Sequence, residues 1–573
     1  MNIARIGVLF NRRAAEARWR YGINVFERHI GEMLEQAGLP FDWLEETNHA
    51  LEAAYDVVLV AAMEETAADY EQLWLYASRG GVVIAFAGLN GLARRLGCRR
   101  GPLLGAGYAR LPAPWGPDRP LRYLRALPWQ PDAPCEVLAA AVGAAGDAAP
   151  ALLQLRVENG YIDRWSVDIP FSVIGLQQGL RPVAEDGAPA PDGSAPLDDG
   201  VLKAEDELQL DWVADRTHTE TGAPYFGVPY ADHWRETIVA HILQRITEKG
   251  KTLPFVDVWP EGVTGIATIS HDSDRNHDTD AETTLRVLAE CGIRSTWCMM
   301  KPGYSFPYHQ RIREAGHELA LHFNANVREG GSWSEADFRR QYEWLTTVNG
   351  GEAVTSNKNH FTRFEGWGEL FAWCEACGIE VDQTRGPSKT GTVGFTFATC
   401  QPYFPIAWFD EGNRHYDVLE IGFLTQDLGA MTDMSVVQPF LDAVREVQGV
   451  AHFLFHQGRI HSADAVRESL IEFVRIASGK GFAFWTSREI NAWHRARRRL
   501  KVVGLGIDSP DEVVVQRSAT SAAVVIDPVE AASPVVWIPL RPGEEDGLDA
   551  SVQVERKYGV LCRKGRISYA DIS

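Results

Sequence analysis

Between Gly262 and about Leu500 the chain changes period again and again, each short apolar run of strand character giving way to a segment with apolar residues at helical spacing. Strands separated by whole helices cannot pair as hairpins. They must lie parallel, with the helices covering the sheet. Strand runs are read at 262–267, 294–300, 318–322, 379–382, 418–424, 451–456 and 482–485, with a strand-like stretch at 360–363. Helical patterns fall between them at 282–291, 308–315, 338–348, 370–377, 436–447 and 466–478. Some seven such units over about 240 residues fit a (β/α) barrel, in which chemistry gathers at the C-terminal ends of the strands.

Alternation also marks the first part of the chain, where strands at 3–10, 56–62 and 81–87 are spaced by helices at 21–37 and 67–78. The pattern predicts a flavodoxin-like, doubly wound α/β domain over residues 1–183, completed by two strands around the turn Asn159–Gly160. Its layout resembles class I glutamine amidotransferase-like domains. Ala85-Phe86-Ala87-Gly88-Leu89 carries no cysteine at the nucleophile position, so glutaminase chemistry is not expected. Residues 184–206 are rich in Ala, Pro, Gly and Asp and read as a linker or loop, and 207–261 as a connecting segment. Short runs such as Glu512–Gln516 and Ala523–Asp527 predict a small β-sandwich over 501–573, after a barrel at 262–500.

Of the 573 residues 56 are basic and 77 acidic, a formal charge of −21, which argues against a nucleic-acid or anionic-membrane partner. No run of 18 apolar residues exists to cross a bilayer. The start, Met1-Asn2-Ile3-Ala4-Arg5, reads as the approach to a first strand rather than a signal peptide. Eight scattered cysteines form no disulfide framework, and Cys374 and Cys377 are the one close pair, so a reducing cytoplasm is the expected compartment.

Polar residues that carry chemistry fall at the strand ends: His271, Asp272 and Asp274 after the first barrel strand, His322 after another, then Arg363 and His456. Here the chain resembles the polysaccharide deacetylase superfamily (carbohydrate esterase family 4) over about 262–495. His271-Asp272-Ser273-Asp274 resembles that family's Asp-x-Asp motif, and Gly316-His317-Glu318 leading to His322 resembles its histidine motif. Thr362-Arg363 and Phe453-Leu454-Phe455-His456 resemble the arginine and last-histidine motifs. One departure is clear: Asn326 stands where the family has its second histidine.

The resemblance implies a distorted (β/α)7 barrel and one divalent metal, usually Zn²⁺. It makes Asp272 the general base, Arg363 the residue that orients it, His456 the general acid, and Asp274 and His322 metal ligands. The reverse assignment of Asp272 and Asp274 is the alternative. Asn offers an amide oxygen where Zn²⁺ prefers imidazole, so His360 is the first candidate for the third ligand. A backbone N–H near Tyr403 is a candidate oxyanion donor. The implied activity is hydrolysis of an N- or O-acyl group, a C–N bond other than a peptide bond, on a carbohydrate or small acylated amide. The alternative is a non-catalytic carbohydrate-binding or regulatory protein with a degenerate site. For the N-terminal domain three uses stand open: closing over the barrel mouth, homo-oligomerisation, or holding part of a polymer.

Overall fold

The structure is a computed structural model. It describes residues 3–570 except 114, 133–134, 144–145, 198–199, 507–508, 510, 518–531 and 550. The run Ala523–Asp527 lies outside the described residues.

The first unit is a nine-stranded mixed sheet. Five strands run parallel in the order Asp42–Leu44, Ile6–Phe10, Val57–Ala62, Val82–Phe86 and Gly160–Trp165. Four more continue it antiparallel, through Ala148–Val157, Glu136–Gly143, Gly107–Arg110 and Leu121–Tyr123. The parallel sheet expected from the alternation thus makes up five of the nine strands. The remainder joins through hairpin pairs such as Val157 opposite Gly160, closed by the Glu158–Asn159 turn.

Helix Tyr230–Glu248 is buried along almost its whole length. Trp234, Ile238, Ile242 and Ile246 pack into the core of the first sheet with Ile6, Val8 and Val57. A helix buried on all sides must satisfy its polar residues internally. Asp232 accepts from Thr399 Oγ1 (2.5 Å) and the Cys400 N–H (2.8 Å), while Arg245 donates to Asp163 (2.6 Å). One helix therefore ties the first sheet to the loops of the second.

The second sheet has nine strands, all paired parallel. Its order is Leu419–Glu420, Val381–Asp382, Ser356–Asn359, Glu318–Phe323, Thr296–Met299, Gly265–Asp272, Val450–Leu454 and Thr425–Gln426, with Phe482–Phe484 also against Gly265–Asp272. The sheet is curled, its last strand reaches a cavity through Gln426, and among the described residues no pairing joins Leu419–Glu420 to Thr425–Gln426. Helices such as Asp278–Cys291, Glu335–Val348 and Asp464–Gly479 cover it.

Two strands differ from the sequence reading. Ser356-Asn357-Lys358-Asn359 is a fully buried strand, and His360–Thr362, read as strand, is a short 3-10 turn. Every residue of that strand is polar, so no apolar run announces it. Beyond residue 500, Leu500–Leu505, Glu512–Arg517, Val536–Pro539, Val554–Lys557 and Val560–Tyr569 form one six-stranded sheet with Phe255–Val256 of the connecting segment, in place of the two facing sheets of a sandwich.

Candidate active site

Strand Gly265–Asp272 is buried throughout, and alternation turns Ser270 and Asp272 to one side and His271 to the other. His271 Nδ1–H donates to the Phe455 carbonyl (3.0 Å), its ring lies against Trp297, and burial pushes its pKa down to about 3. It is a neutral packing residue. Beyond the strand the chain turns sharply, with Asp274 at φ +28° and Asn276 at φ +54°. Such φ values are costly for side-chain-bearing residues and tend to persist where a side chain must be aimed.

What that turn aims is the Asp274 carboxylate. Its Oδ1 lies 3.3 Å from His322 Nε2 and 3.5 Å from His360 Nδ1, and the two imidazole nitrogens are 3.2 Å apart. His322 Nδ1–H donates to the Lys358 carbonyl (3.0 Å), which fixes the tautomer and leaves Nε2 as the free donor atom. His360 sits on the 3-10 turn, where Phe361 and Thr362 have φ +57° and +51°, with its Nε2 3.5 Å from Glu329. Donors around one tetrahedral ion bound at about 2.0–2.1 Å lie about 3.4 Å from one another. The three spacings match that figure, and the buried Asp274 Oδ1 has no hydrogen-bond partner. One carboxylate and two imidazoles therefore fit a divalent metal.

Asp272 lies beside this trio, its Oδ2 3.8 Å from His322 Nε2. Its Oδ1 is 3.4 Å from Lys358 Nζ, and Lys358 is fully buried. The ammonium also donates to Ser270 Oγ, which is 2.7 Å from His452 Nε2, and His452 Nδ1–H donates to the Ile421 carbonyl (2.9 Å). Burial opposes ionisation of Asp272, but Lys358, with the nearby His322 and His456, outweighs it and holds the carboxyl below its usual range. Asp274 is likewise held well below that range: burial works against its charge, and the close approach of the His322 and His360 imidazoles, with His456 beyond them, more than offsets it.

On the other flank stands His456, just past strand Val450–Leu454. Its Nδ1 is 2.7 Å from Asp427 Oδ2, its backbone N–H donates to Asp427 Oδ1 (2.9 Å), and its Nε2 faces Asp274 Oδ2 at 3.7 Å. Burial disfavours the imidazolium, yet the Asp427 carboxylate and its hydrogen bond win and push the pKa up to about 9. Asp272, Asp274, His360 and His456 share a cavity of about 380 Å³ with Lys203, Arg275, Ser388, Gln426 and Arg459.

The structure thus gathers five of the six residues singled out in the sequence. The sixth, Arg363, points elsewhere: its guanidinium pairs with Glu365 and the Ala325 carbonyl, because the 3-10 turn at 360–362 swings it past the cavity. Lys358, five residues earlier on the true strand, occupies the place beside Asp272. Asn326 is a cap, accepting from the Arg328 N–H (3.0 Å). The Tyr403 N–H is spent on the Glu420 carbonyl (3.3 Å), which removes it as an oxyanion donor. Asp427 and Lys358 escaped the sequence reading. The signal for both was a charged residue at the end of, or within, an otherwise unremarkable polar segment.

No family model matches the chain, and no curated protein matches it. Among solved structures, one described as a polysaccharide deacetylase from Mycobacterium smegmatis is 18% identical over 42% of this chain and 94% of its own, with a TM-score of 0.33. A second, described as a polysaccharide deacetylase involved in O-antigen biosynthesis from Bordetella bronchiseptica, is 17% identical over 37% and 91%, with a TM-score of 0.26. A β-galactosidase from Bacillus circulans is 14% identical over 29% and 28%, with a TM-score of 0.25. At such scores the likeness carries no argument, and function rests on the site itself.

Proposed function

We propose that this chain is a metal-dependent hydrolase that removes an acetyl or similar acyl group, N- or O-linked, from a sugar or polysaccharide-related substrate. The observation that carries the reading is the mutual 3.2–3.5 Å spacing of Asp274, His322 and His360 donor atoms, flanked by Asp272–Lys358 on one side and His456–Asp427 on the other. The curled sheet is read as the distorted (β/α)7 barrel, and the parallel half of the first sheet as its flavodoxin-like companion.

Asp274, His322 and His360 would hold the divalent ion, of which Zn²⁺ suits two imidazoles and a carboxylate; bound there, it would supply Lewis-acid chemistry to the attacking water and the acyl carbonyl. Asp272, kept ionised and in place by Lys358, takes the proton from the attacking water at Oδ2, the oxygen away from Lys358. His456, charged and with Nδ1 tied to Asp427, presents Nε2–H to the departing nitrogen or oxygen. Sequence alone left a degenerate, non-catalytic site as the alternative because of Asn326. His360 offers an imidazole in its stead, and no other observation favours that alternative.

The test is metal content by mass spectrometry together with acetate release from N-acetylated and O-acetylated sugars. The reading expects about one bound divalent ion, and Asp274→Ala should lose both the ion and about 10³-fold or more of the acetate release, since the metal supplies several kcal/mol. A protein that releases acetate equally well without Asp274 contradicts it.

A further inference from the structure

The rim of the cavity is cationic although the chain as a whole carries a charge of −21. Its lining includes two carboxylates, Asp272 and Asp274, and both lie among the buried lysine and histidines described above. Three cations line the rest. Lys203 is buried in the wall, with Nζ donating to Ser388 Oγ (2.9 Å). Arg459 lies on helix Gln457–Ser462, directly after His456, and shares Asp427 with that histidine at 3.2 Å. Arg275 follows Asp274 in the strained turn, is exposed, and makes no hydrogen bond or ion pair among the described residues. Its Cδ comes within 3.9 Å of where a Cβ would sit at Gly458, the residue before Arg459, and the Asp280 carboxylate lies 3.3 Å from the same point.

We propose that the substrate carries an anionic group, carboxylate or phosphate, close to its acyl group, and that Arg275 and Arg459 bind it in the cavity they line together with Lys203. Two guanidinium forks in one cavity suit the paired oxygens of either anion. A free arginine in the same turn as Asp274 has its charge uncompensated by any carboxylate of the lining, and in a cavity it focuses the field on an incoming anion. Thr362, Ser388, Gln426 and Ser462 supply neutral hydrogen-bonding groups around the same space, as a sugar ring requires. This inference takes the acyl group from the hydrolase reading above, but the anion site stands on the rim residues alone.

The metal-loaded protein is titrated by calorimetry with glucose, glucose 6-phosphate and glucuronate, and acetate release is followed separately from N-acetylglucosamine and N-acetylglucosamine 6-phosphate. At low salt one or both anions should bind about tenfold more tightly than the neutral sugar, as a charge-assisted hydrogen bond implies. The better of the two names phosphate or carboxylate as the group recognised. Arg275→Gln should weaken the anion about tenfold more than the neutral sugar, and Arg275→Lys should recover part of the preference. Equal binding of neutral and anionic sugars, or an anion preference that survives Arg275→Gln, overturns the proposal. Because the titration needs no turnover, its outcome is independent of whether acetate is released.

Discussion

Two large sheets stand in this chain, one half parallel and one wholly parallel, and their parallel strands differ in what they bury. In the first, Ile6–Phe10, Val57–Ala62 and Val82–Phe86 are apolar from end to end, and the turn after the last of them, Ala87-Gly88-Leu89, holds no group able to move a proton. The second buries Ser270, Asp272, Glu318, His322, Lys358, Asp382 and His452 within its strands. Each is paired there: Glu318 with Ser356 and Thr296, Asp382 with Asn357 and Thr384, Lys358 with Ser270. The same strand–helix period yields a scaffold in one place and a reaction vessel in the other. What differs is where the buried polar groups lie: in the parallel strands of the first sheet they are concentrated in Gly160–Trp165, where Asp163 pairs with His241 and Arg245, whereas in the second they run through most strands, at a desolvation cost repaid in fixed geometry.

The contrast can be broken by substitution. His456→Ala should have the largest kinetic effect here, lowering kcat by about 10²–10⁴-fold, the range for loss of a general acid, with substrate affinity nearly kept. Equal losses in kcat and affinity would make His456 a packing residue.

Next comes the pair Lys358→Met and Ile84→Ala. Removing the ammonium strands Asp272 as an unpaired buried charge and should destabilise by about 3–5 kcal/mol, with a fall in kcat per folded molecule. Ile84, fully buried in the first sheet, should cost a similar ~2–5 kcal/mol in denaturant midpoints but leave kcat per folded molecule unchanged. If both variants lower kcat alike, the division between scaffold and vessel is wrong.

Asp427→Asn should have a smaller, pH-dependent effect. The His456 pKa is raised to about 9, so its proton-donating form persists below that value and is lost above it. Removing the carboxylate should move the alkaline limb of the rate profile to lower pH, most visibly between pH 7 and 9. The pair also stabilises the fold below the free-imidazole pKa of about 6.5, and that contribution disappears as the pH rises through about 9. An alkaline limb unmoved in Asp427→Asn would assign it to another group.

Much of this was legible in the sequence. Apolar periodicity marks the parallel strands of both sheets, and Asp272, Asp274, His322 and His456 stand just where strand runs stop. The polar strand Ser356–Asn359 was not legible, because burial of Ser, Asn and Lys is decided by partners on neighbouring strands. Misplacing it moved the strand end by a few residues and put Arg363 in the role that Lys358 fills. Asp427 was hidden for a related reason: its strand, Thr425–Gln426, is two residues long. The four antiparallel strands of the first sheet were largely missed because Ala-rich Glu136–Gly143 and the short Gly107–Arg110 lack a strong alternating signal.

The central claim is that His360 completes the donor set that Asn326 lacks. Competition with a chromophoric chelator gives the Zn²⁺ affinity of the wild type, His360→Ala and Asn326→Ala under one set of conditions. The account predicts a loss of affinity of well over tenfold for His360→Ala and less than about twofold for Asn326→Ala, as expected for a first ligand against a remote cap. Undiminished affinity in His360→Ala, or a larger loss in Asn326→Ala, would contradict it.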